Sequence, residues 1–327
     1  MTAYNEWGHL DEVWVGRPYP PELIDNIIAD NKIKDQLKRI LIETEEDFLN
    51  FESILKDFGC VVKRPLYKDK TDPMKKPHLM CPRDHVIKIG NTTLIGPKDK
   101  TEIEDWNVLS NSFTQFTKEI TAPSIFRLGT RIIFDAVTYD QQTFEYFCKF
   151  VDDRFKPERT VLSSRPYSYD QHSDGVICVV REGLLLVSEQ AINIEENFPG
   201  WDYITVKPDT TQMEKFLKFR TNKKQNNILS KYYLDESYHN DKLTSFIDDY
   251  LKNWYGYSPE TMFDINSFQL DPNTITVGRY NKEIFAEFKK RKIEPIIVPL
   301  RHSWFWDGGL HCSTLDVKRK GELESYW

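Results

Sequence analysis

Four short stretches carry residue types that could do chemistry together. One reads GGLHC and sets Cys312 directly after His311 and the paired glycines Gly308 and Gly309. Glycine costs a helix about 1 kcal/mol against alanine and adds nothing to a strand. The pair therefore indicates a turn, or a close approach of backbone to another group. On residue type alone a free cysteine is a small buried hydrophobe. The glycine turn before it, where an apolar strand would otherwise run, opens a second reading, a nucleophilic thiol. The stretch HSD puts His172 and Asp174 two residues apart at the start of an apolar run. Such residues share a face in a strand; the plainer reading is a loop histidine beside a turn aspartate. CPRDH brings Asp84 to the start of another apolar run, or leaves Arg83 and Asp84 as surface charges at a loop end. Asp135 interrupts the apolar RIIFDAV. A carboxylate there costs free energy unless a histidine or a turn N–H pairs with it.

Together these types make one reaction possible. Two carboxylates can hold a planar guanidinium through its forked N–H groups. A thiolate can attack the central carbon, and a histidine can protonate the departing amine and later take a proton from an incoming nucleophile. The positions lie far apart in the chain, so spacing alone does not establish the reaction; the elements must bring them together.

Those elements alternate short apolar runs with amphipathic ones. DEVWVG at 11–16 reads as a strand. From Gln36 to Phe58 the apolar residues recur at three- and four-residue steps, which predicts a helix. Gly59 stops it and CVVKRPLY follows as a strand. The run 85–97 predicts two strands around Gly90-Asn91, and 175–189 two more around Glu182-Gly183. The run 142–155 predicts a helix; TITVGR, NKEIFAEFKKRK and IEPIIVPL predict strand, helix and strand. The proline-containing 66–82 reads as a surface loop. Strand, turn, strand, helix, strand recurs without identity between copies and without a Ser/Gly-rich linker. This predicts an α/β fold, one compact domain over residues 1–327 with repeats around a shared centre.

Composition bounds the function. Among 327 residues, 39% are hydrophobic and 13% aromatic, enough for a substantial core. A formal net charge of −7 argues against nucleic acid as a main partner, because phosphate binding wants a basic face. KKRK at 289–292 reads as an exposed helix end. Five cysteines without a CxxC pair fit neither a disulfide framework nor a zinc cluster, and point to a reducing compartment. The first residues show no basic-then-apolar signal pattern, and no apolar run approaches a membrane span. A cytoplasmic protein without membrane or nucleic-acid partners is expected.

YNEWGHLDEVWVGRP, CPRDHVIKIGN, HSD and GGLHCSTLDVKRKGELESY occur in this order. They resemble the arginine:glycine and inosamine-phosphate amidinotransferase family, strongly at both ends of the chain and weakly between about 98 and 165 and between 195 and 255. The resemblance implies a pentein fold, a five-bladed α/β propeller of ββαβ modules with pseudo-fivefold symmetry. It implies amidino transfer from L-arginine to a cysteine, release of ornithine, passage of the group to an acceptor amine, and no metal or organic cofactor. By match Cys312 is the nucleophile, His172 the general acid/base, and Asp84 and Asp174 the guanidinium clamps; His311 precedes the nucleophile as in the family and is read here as a structural residue orienting the turn.

Two departures from the family pattern follow. Asp135 matches the wording of the acid that orients the histidine, but its spacing to His172 is short; Asp170 is the alternative. The arginine that the family places after the strand pair following the histidine is missing from LLLVSEQAINIEEN. Arg301 or Arg279 then takes the donor's carboxylate, or the carboxylate is held differently. Trp304, Phe305 and Trp306 either cover the site and narrow acceptor access, or pack into a core or a neighbouring protomer. The acceptor stays open among glycine, lysine, another primary amine and water. Water would make the enzyme an arginine hydrolase giving ornithine and urea. A deiminase fits the motifs less well, and a non-catalytic guanidino-binding pentein is the rival from a different class. The oligomeric state stays open, a homo-oligomer included.

Overall fold

Two apolar runs that meet at a two-residue turn close into a hairpin, and a computed structural model shows this in four places. It describes residues 2–25, 27–67, 78–97, 106, 109–110, 113–136, 139–164, 172–207, 241–251, 264–306 and 308–326. The strands β3 (Val86–Ile89) and β4 (Thr92–Ile95) pair antiparallel around Gly90, whose φ of 52° suits glycine. β6 (Ile125–Leu128) pairs likewise with β7 (Arg131–Asp135), β9 (Ile177–Arg181) with β10 (Leu184–Ser188), and β12 (Phe268–Asp271) with β13 (Thr274–Val277). Each hairpin gains a third, parallel strand: β5 (Thr114–Gln115), β8 (Lys156–Thr160), β11 (Asp202–Val206) and β14 (Glu294–Ile297).

The fifth sheet is assembled from both ends of the chain. β15 (Thr314–Arg319) pairs antiparallel with β1 (Leu10–Val15), and β2 (Val61–Lys63) adds in parallel. Five three-stranded sheets of one pattern result, the modular α/β propeller expected. Parallel neighbours need a crossover, and helices supply it. α1 (Asn31–Asp57) joins β1 to β2, α2 (Gln141–Cys148) joins β7 to β8, α3 (Ile194–Asn197) joins β10 to β11, and α5 (Lys282–Lys290) joins β13 to β14. α4 (Asp241–Tyr250) lies in the long segment between β11 and β12, and α6 (Ser303–Trp306) precedes β15.

α1 begins five residues before the predicted Gln36, because the Asp30 side chain accepts from the N–H groups of Lys32 and Ile33. Its buried face (Ile33, Leu37, Ile40, Leu41 and Phe48) packs with Leu243 and Ile247 of α4 and with Phe305 and Trp306 of α6. Phe305 and Trp306 thus belong to the core, and the Trp306 indole donates to Thr44 Oγ1 at 2.9 Å. The predicted surface loop 66–82 needs correction over its last part. His78, Leu79, Met80 and Cys81 are buried, because Arg17 N donates to Leu79 O and the apolar cluster under α1 takes Met80 and Cys81. No helix among the described residues is long and apolar enough to cross a membrane.

Where the first strands of the sheets meet, the centre is charged. Arg127 of β6 donates to both carboxylate oxygens of Glu6 and both of Asp316. Arg83 Nη2 donates to Asp316 Oδ1 at 2.7 Å, and Arg319 Nε also donates to Asp316. All five side chains are buried. Burial alone would push Asp316 up; the charges of Arg127, Arg319 and Arg83 outweigh it and hold the carboxyl far below its ordinary value.

Candidate active site

Each sheet's first strand begins after a tight turn, and these turns share one end of the propeller. Pro82–Asp84 precedes β3, Ala122–Ser124 precedes β6 and Ser173–Gly175 precedes β9. The three turns pack side by side. Cys312 stands two residues before β15, and Asn266 two before β12. One layer of loop residues thus draws together positions remote in sequence.

Asn266 is the residue that sequence reasoning missed. Its Oδ1 accepts from the Cys312 N–H at 3.0 Å, and its Nδ2 donates to Cys312 Sγ at 2.9 Å. Its own carbonyl accepts from the N–H of Leu310 and of His311. A methyl on Gly309 would lie 2.7 Å from Asn266 Oδ1, and one on Gly308 would lie 3.0 Å from Cys81 Sγ. Both reasons expected for the pair apply, because Gly309 also opens the turn, its carbonyl accepting from the Ser313 N–H at 3.1 Å. A polar residue just ahead of every first strand was the available signal.

Cys312 is buried, with Sγ 3.5 Å from Asp174 Oδ2. The same oxygen meets His311 Nδ1 at 2.7 Å. Burial, then the Arg83 charge, lowers the His311 pKa. Nδ1 carries the proton that an ionised Asp174 accepts. Burial alone would raise Asp174; the His311 hydrogen bond and the charges of His311, His172 and Arg83 outweigh it and lower the pKa. Asp174 is therefore ionised. Its other oxygen, Oδ1, is buried without a hydrogen-bond partner among the described residues.

His172 lies across from this group, with Nδ1 3.7 Å from Asp84 Oδ1. Asp84 Oδ1 is likewise buried without a hydrogen-bond partner. Burial pushes the Asp84 carboxyl up to about 6; His172 opposes the shift and the Asp174 charge adds to it. Two carboxylates in one site, one ionised and one reluctant to be, each with an unsatisfied buried oxygen, make a receptor for a cation with N–H donors. His172 and Asp174 reach the site through the Ser173–Gly175 turn, not through the strand alternation expected, because β9 starts only at Ile177.

The remaining expectations are met differently. Among the described residues His172 meets Asp84 rather than Asp135. Asp135 is buried at the end of β7; its Oδ2 accepts from Ser173 Oγ and its Oδ1 from Leu162 N at 3.3 Å. It therefore bears on His172 through the neighbouring residue. Asp170 lies outside the described residues. Arg301 is drawn to α1 instead of joining the site. Its Nε donates to Asp47 Oδ1 at 2.8 Å, and its Nη2 to Glu46 Oε2 and Glu43 O, each at 2.7 Å. Arg83, read from sequence as a surface charge, is buried, and its Nε donates to the His311 carbonyl at 2.9 Å. It ties the turn before Cys312 to the charged centre beneath.

No protein-family model matches the chain. The chain is 31% identical to the L-arginine:L-lysine amidinotransferase of Pseudomonas savastanoi pv. phaseolicola, over all of this chain and 96% of that one. It is 22% identical to inosamine-phosphate amidinotransferase 1 of Streptomyces glaucescens, over all of this chain and 99% of that one. Among solved structures, an amidinotransferase of the saxitoxin biosynthetic pathway of Microseira wollei superposes with a TM-score of 0.70 at 17% identity, over all of this chain and 99% of that one.

Proposed function

The chain belongs to the amidinotransferase family, and from that premise we propose that it moves the amidino group of L-arginine onto Cys312 and from there onto an amine. The observation that carries this reading is the pair of buried, unsatisfied carboxylate oxygens, Asp84 Oδ1 and Asp174 Oδ1, grouped with the Cys312 thiol and the His172 ring.

In this reading Asp84 and Asp174 take the guanidinium N–H groups. Neutralising both acids relieves their mutual repulsion and draws the Asp84 pKa back down. Asn266 Nδ2 supports negative charge on Sγ, so the thiolate can attack the guanidino carbon. The bond from that carbon to the side-chain nitrogen of arginine then breaks. His172 gives its proton to that nitrogen, ornithine leaves, and an S-amidinocysteine remains. An acceptor amine next loses a proton to the now neutral His172 and attacks the amidino carbon, and the thiolate departs. Asp135, through Ser173, positions the turn that carries both His172 and Asp174. The described parts act within the single domain expected over 1–327.

The acceptor is a primary amine such as glycine or lysine; relatives of comparable coverage are named for different acceptors. The test is mass spectrometry of the intact protein after mixing with L-arginine and quenching in acid. A gain of about 42 Da, one amidino group on a thiol, should map to Cys312. Ornithine with a new guanidino compound names an amine acceptor, and ornithine with urea names water. Neither adduct nor ornithine would sink the reading.

A further inference from the structure

Cys312 is not the only sulfur beside the glycine pair. Cys81 stands just before the Pro82–Asp84 turn, and like Cys312 it is a buried thiol. A methyl on Gly308 would lie 3.0 Å from Cys81 Sγ and 3.5 Å from Cys312 Cβ. Among the described residues, and beyond the chain neighbours of Gly308, no other heavy atom comes within 4 Å of that point. The two cysteines therefore border one small space, left because residue 308 has no side chain. Both also belong to the apolar cluster under α1.

The buried cysteines differ in what they can do. Burial pushes Cys60 up to about 11 and Cys178 up to about 12. Both stay protonated and spend the S–H on a carbonyl, that of Leu10 and that of Ser267. Cys312 lies instead beside a mouth where the His172 and Asp84 side chains are partly open to water. A small oxidant entering there meets Cys312 first, and a thiol poised as a nucleophile is the kind that a peroxide oxidises.

We propose that Cys81 is a resolving thiol, a modification site that captures oxidised Cys312 as a disulfide. The proposal rests on the amidino-transfer reading for the reactivity of Cys312 and adds a regulation of that site. A peroxide is the oxidant. The Cys312 thiolate attacks one peroxide oxygen; an S–O bond forms, the O–O bond breaks, and the leaving oxygen takes a proton and departs as water. Cys312 is then a sulfenic acid. The Cys81 sulfur attacks the Cys312 sulfur; an S–S bond forms, the S–O bond breaks, and the Cys81 proton leaves in a second water. Two thiols lose two electrons, and one hydrogen peroxide becomes two waters. The bond turns Cys312 Sγ away from Asn266 and Asp174, and the glycine pair lets the turn follow. The nucleophile is out of the site until a thiol reductant returns it. Transient disulfides of this kind are the ones that a reducing compartment admits.

The experiment treats the reduced, unaltered protein with hydrogen peroxide, removes the excess with catalase and blocks the remaining thiols before digestion. Ornithine formation from L-arginine should fall to near zero and return to most of its starting value with dithiothreitol. The intact mass should drop by about 2 Da, two hydrogens lost to one disulfide, and the digest should hold the Cys81 and Cys312 peptides joined. Cys81→Ser should turn over L-arginine like the unaltered protein before peroxide. After prolonged peroxide it should recover several-fold less activity and carry about 32 Da more on Cys312, the sulfinic acid. Cys81→Ala takes its place if the serine variant does not fold. Treated protein without the joined peptides would overturn the proposal, and so would a Cys81 variant that recovers as fully as the unaltered protein. A reduced protein that makes no ornithine before peroxide defeats the amidino-transfer reading instead, and the joined peptides are read by mass whether or not it does.

Discussion

Two clusters of charge lie close together in this molecule and are built on opposite rules. The central one joins Glu6, Arg83, Arg127, Asp316 and Arg319, and each of its acids accepts from at least one arginine. The cluster at the mouth contains Asp84 and Asp174, each with a buried oxygen that has no hydrogen-bond partner among the described residues. Burying an ionised carboxylate is costly, and in the centre the cost is offset by cations the chain supplies itself. At the mouth it is left open for a cation from outside. Arg83 links the two, with one end on Asp316 and the other on the backbone of His311. In the proposed reaction the difference separates support from chemistry: saturated ion pairs hold the loops, and the unsaturated acids take the guanidinium.

Substitutions should keep these rules apart. The largest effect belongs to Cys312→Ser, which should abolish the adduct and turnover while a thermal melt stays near that of the unaltered protein, since the change is local and close to isosteric. Turnover that survives it would remove the covalent step. Asp316→Asn comes next and should act on stability. It leaves Arg83, Arg127 and Arg319 buried and short of negative charge, at a cost of about 3–5 kcal/mol in chemical denaturation. A loss below about 1 kcal/mol would mean that the centre tolerates an uncompensated charge.

Asp174→Asn should do the reverse. Loss of a charge-assisted clamp should lower kcat/KM by about 2–3 kcal/mol of transition-state stabilisation, with a smaller effect on stability, since the amide oxygen can still accept from His311. A marked fall in melting temperature would place Asp174 with the structural cluster. The smallest effect is that of pH. Asp84, pushed up to about 6, is ionised above that pH and gains a proton below it. KM for L-arginine should therefore rise as pH falls through about 6, approaching tenfold per unit below it. Asp84→Asn should flatten that rise, and a profile unchanged by the substitution would assign it to another group.

How much of this could be read from the sequence differs between the same two clusters. Cys312, Asp84 and Asp174 stand out because each sits in a turn before an apolar strand, where a core residue would not be. The hairpins at Gly90-Asn91 and Glu182-Gly183 were legible for the same local reason. Arg83 was not legible as part of the core. It looks like any loop arginine, and its partner Asp316 is 233 residues away. Asn266 was hidden in a stretch that reads as an ordinary turn. Asp135 was legible as a carboxylate in need of a partner, and of the two kinds expected it has a backbone N–H, that of Leu162; the hydroxyl of Ser173, one residue past His172, was not foreseen. Local signals survive in one dimension; pairings closed by the ring do not.

Among the described strands, the ring closes where β15 meets β1. Ribosomal synthesis delivers β1 before the four other sheets and β15 after them, so the growing chain carries an incomplete first sheet until β15 emerges. Cys312 arrives just ahead of that strand, and Asn266, which holds it, is already in place in the preceding sheet. In the proposed reaction, a nascent chain therefore has acids and an imidazole before it has its nucleophile, and sealing the propeller is what would bring the three together.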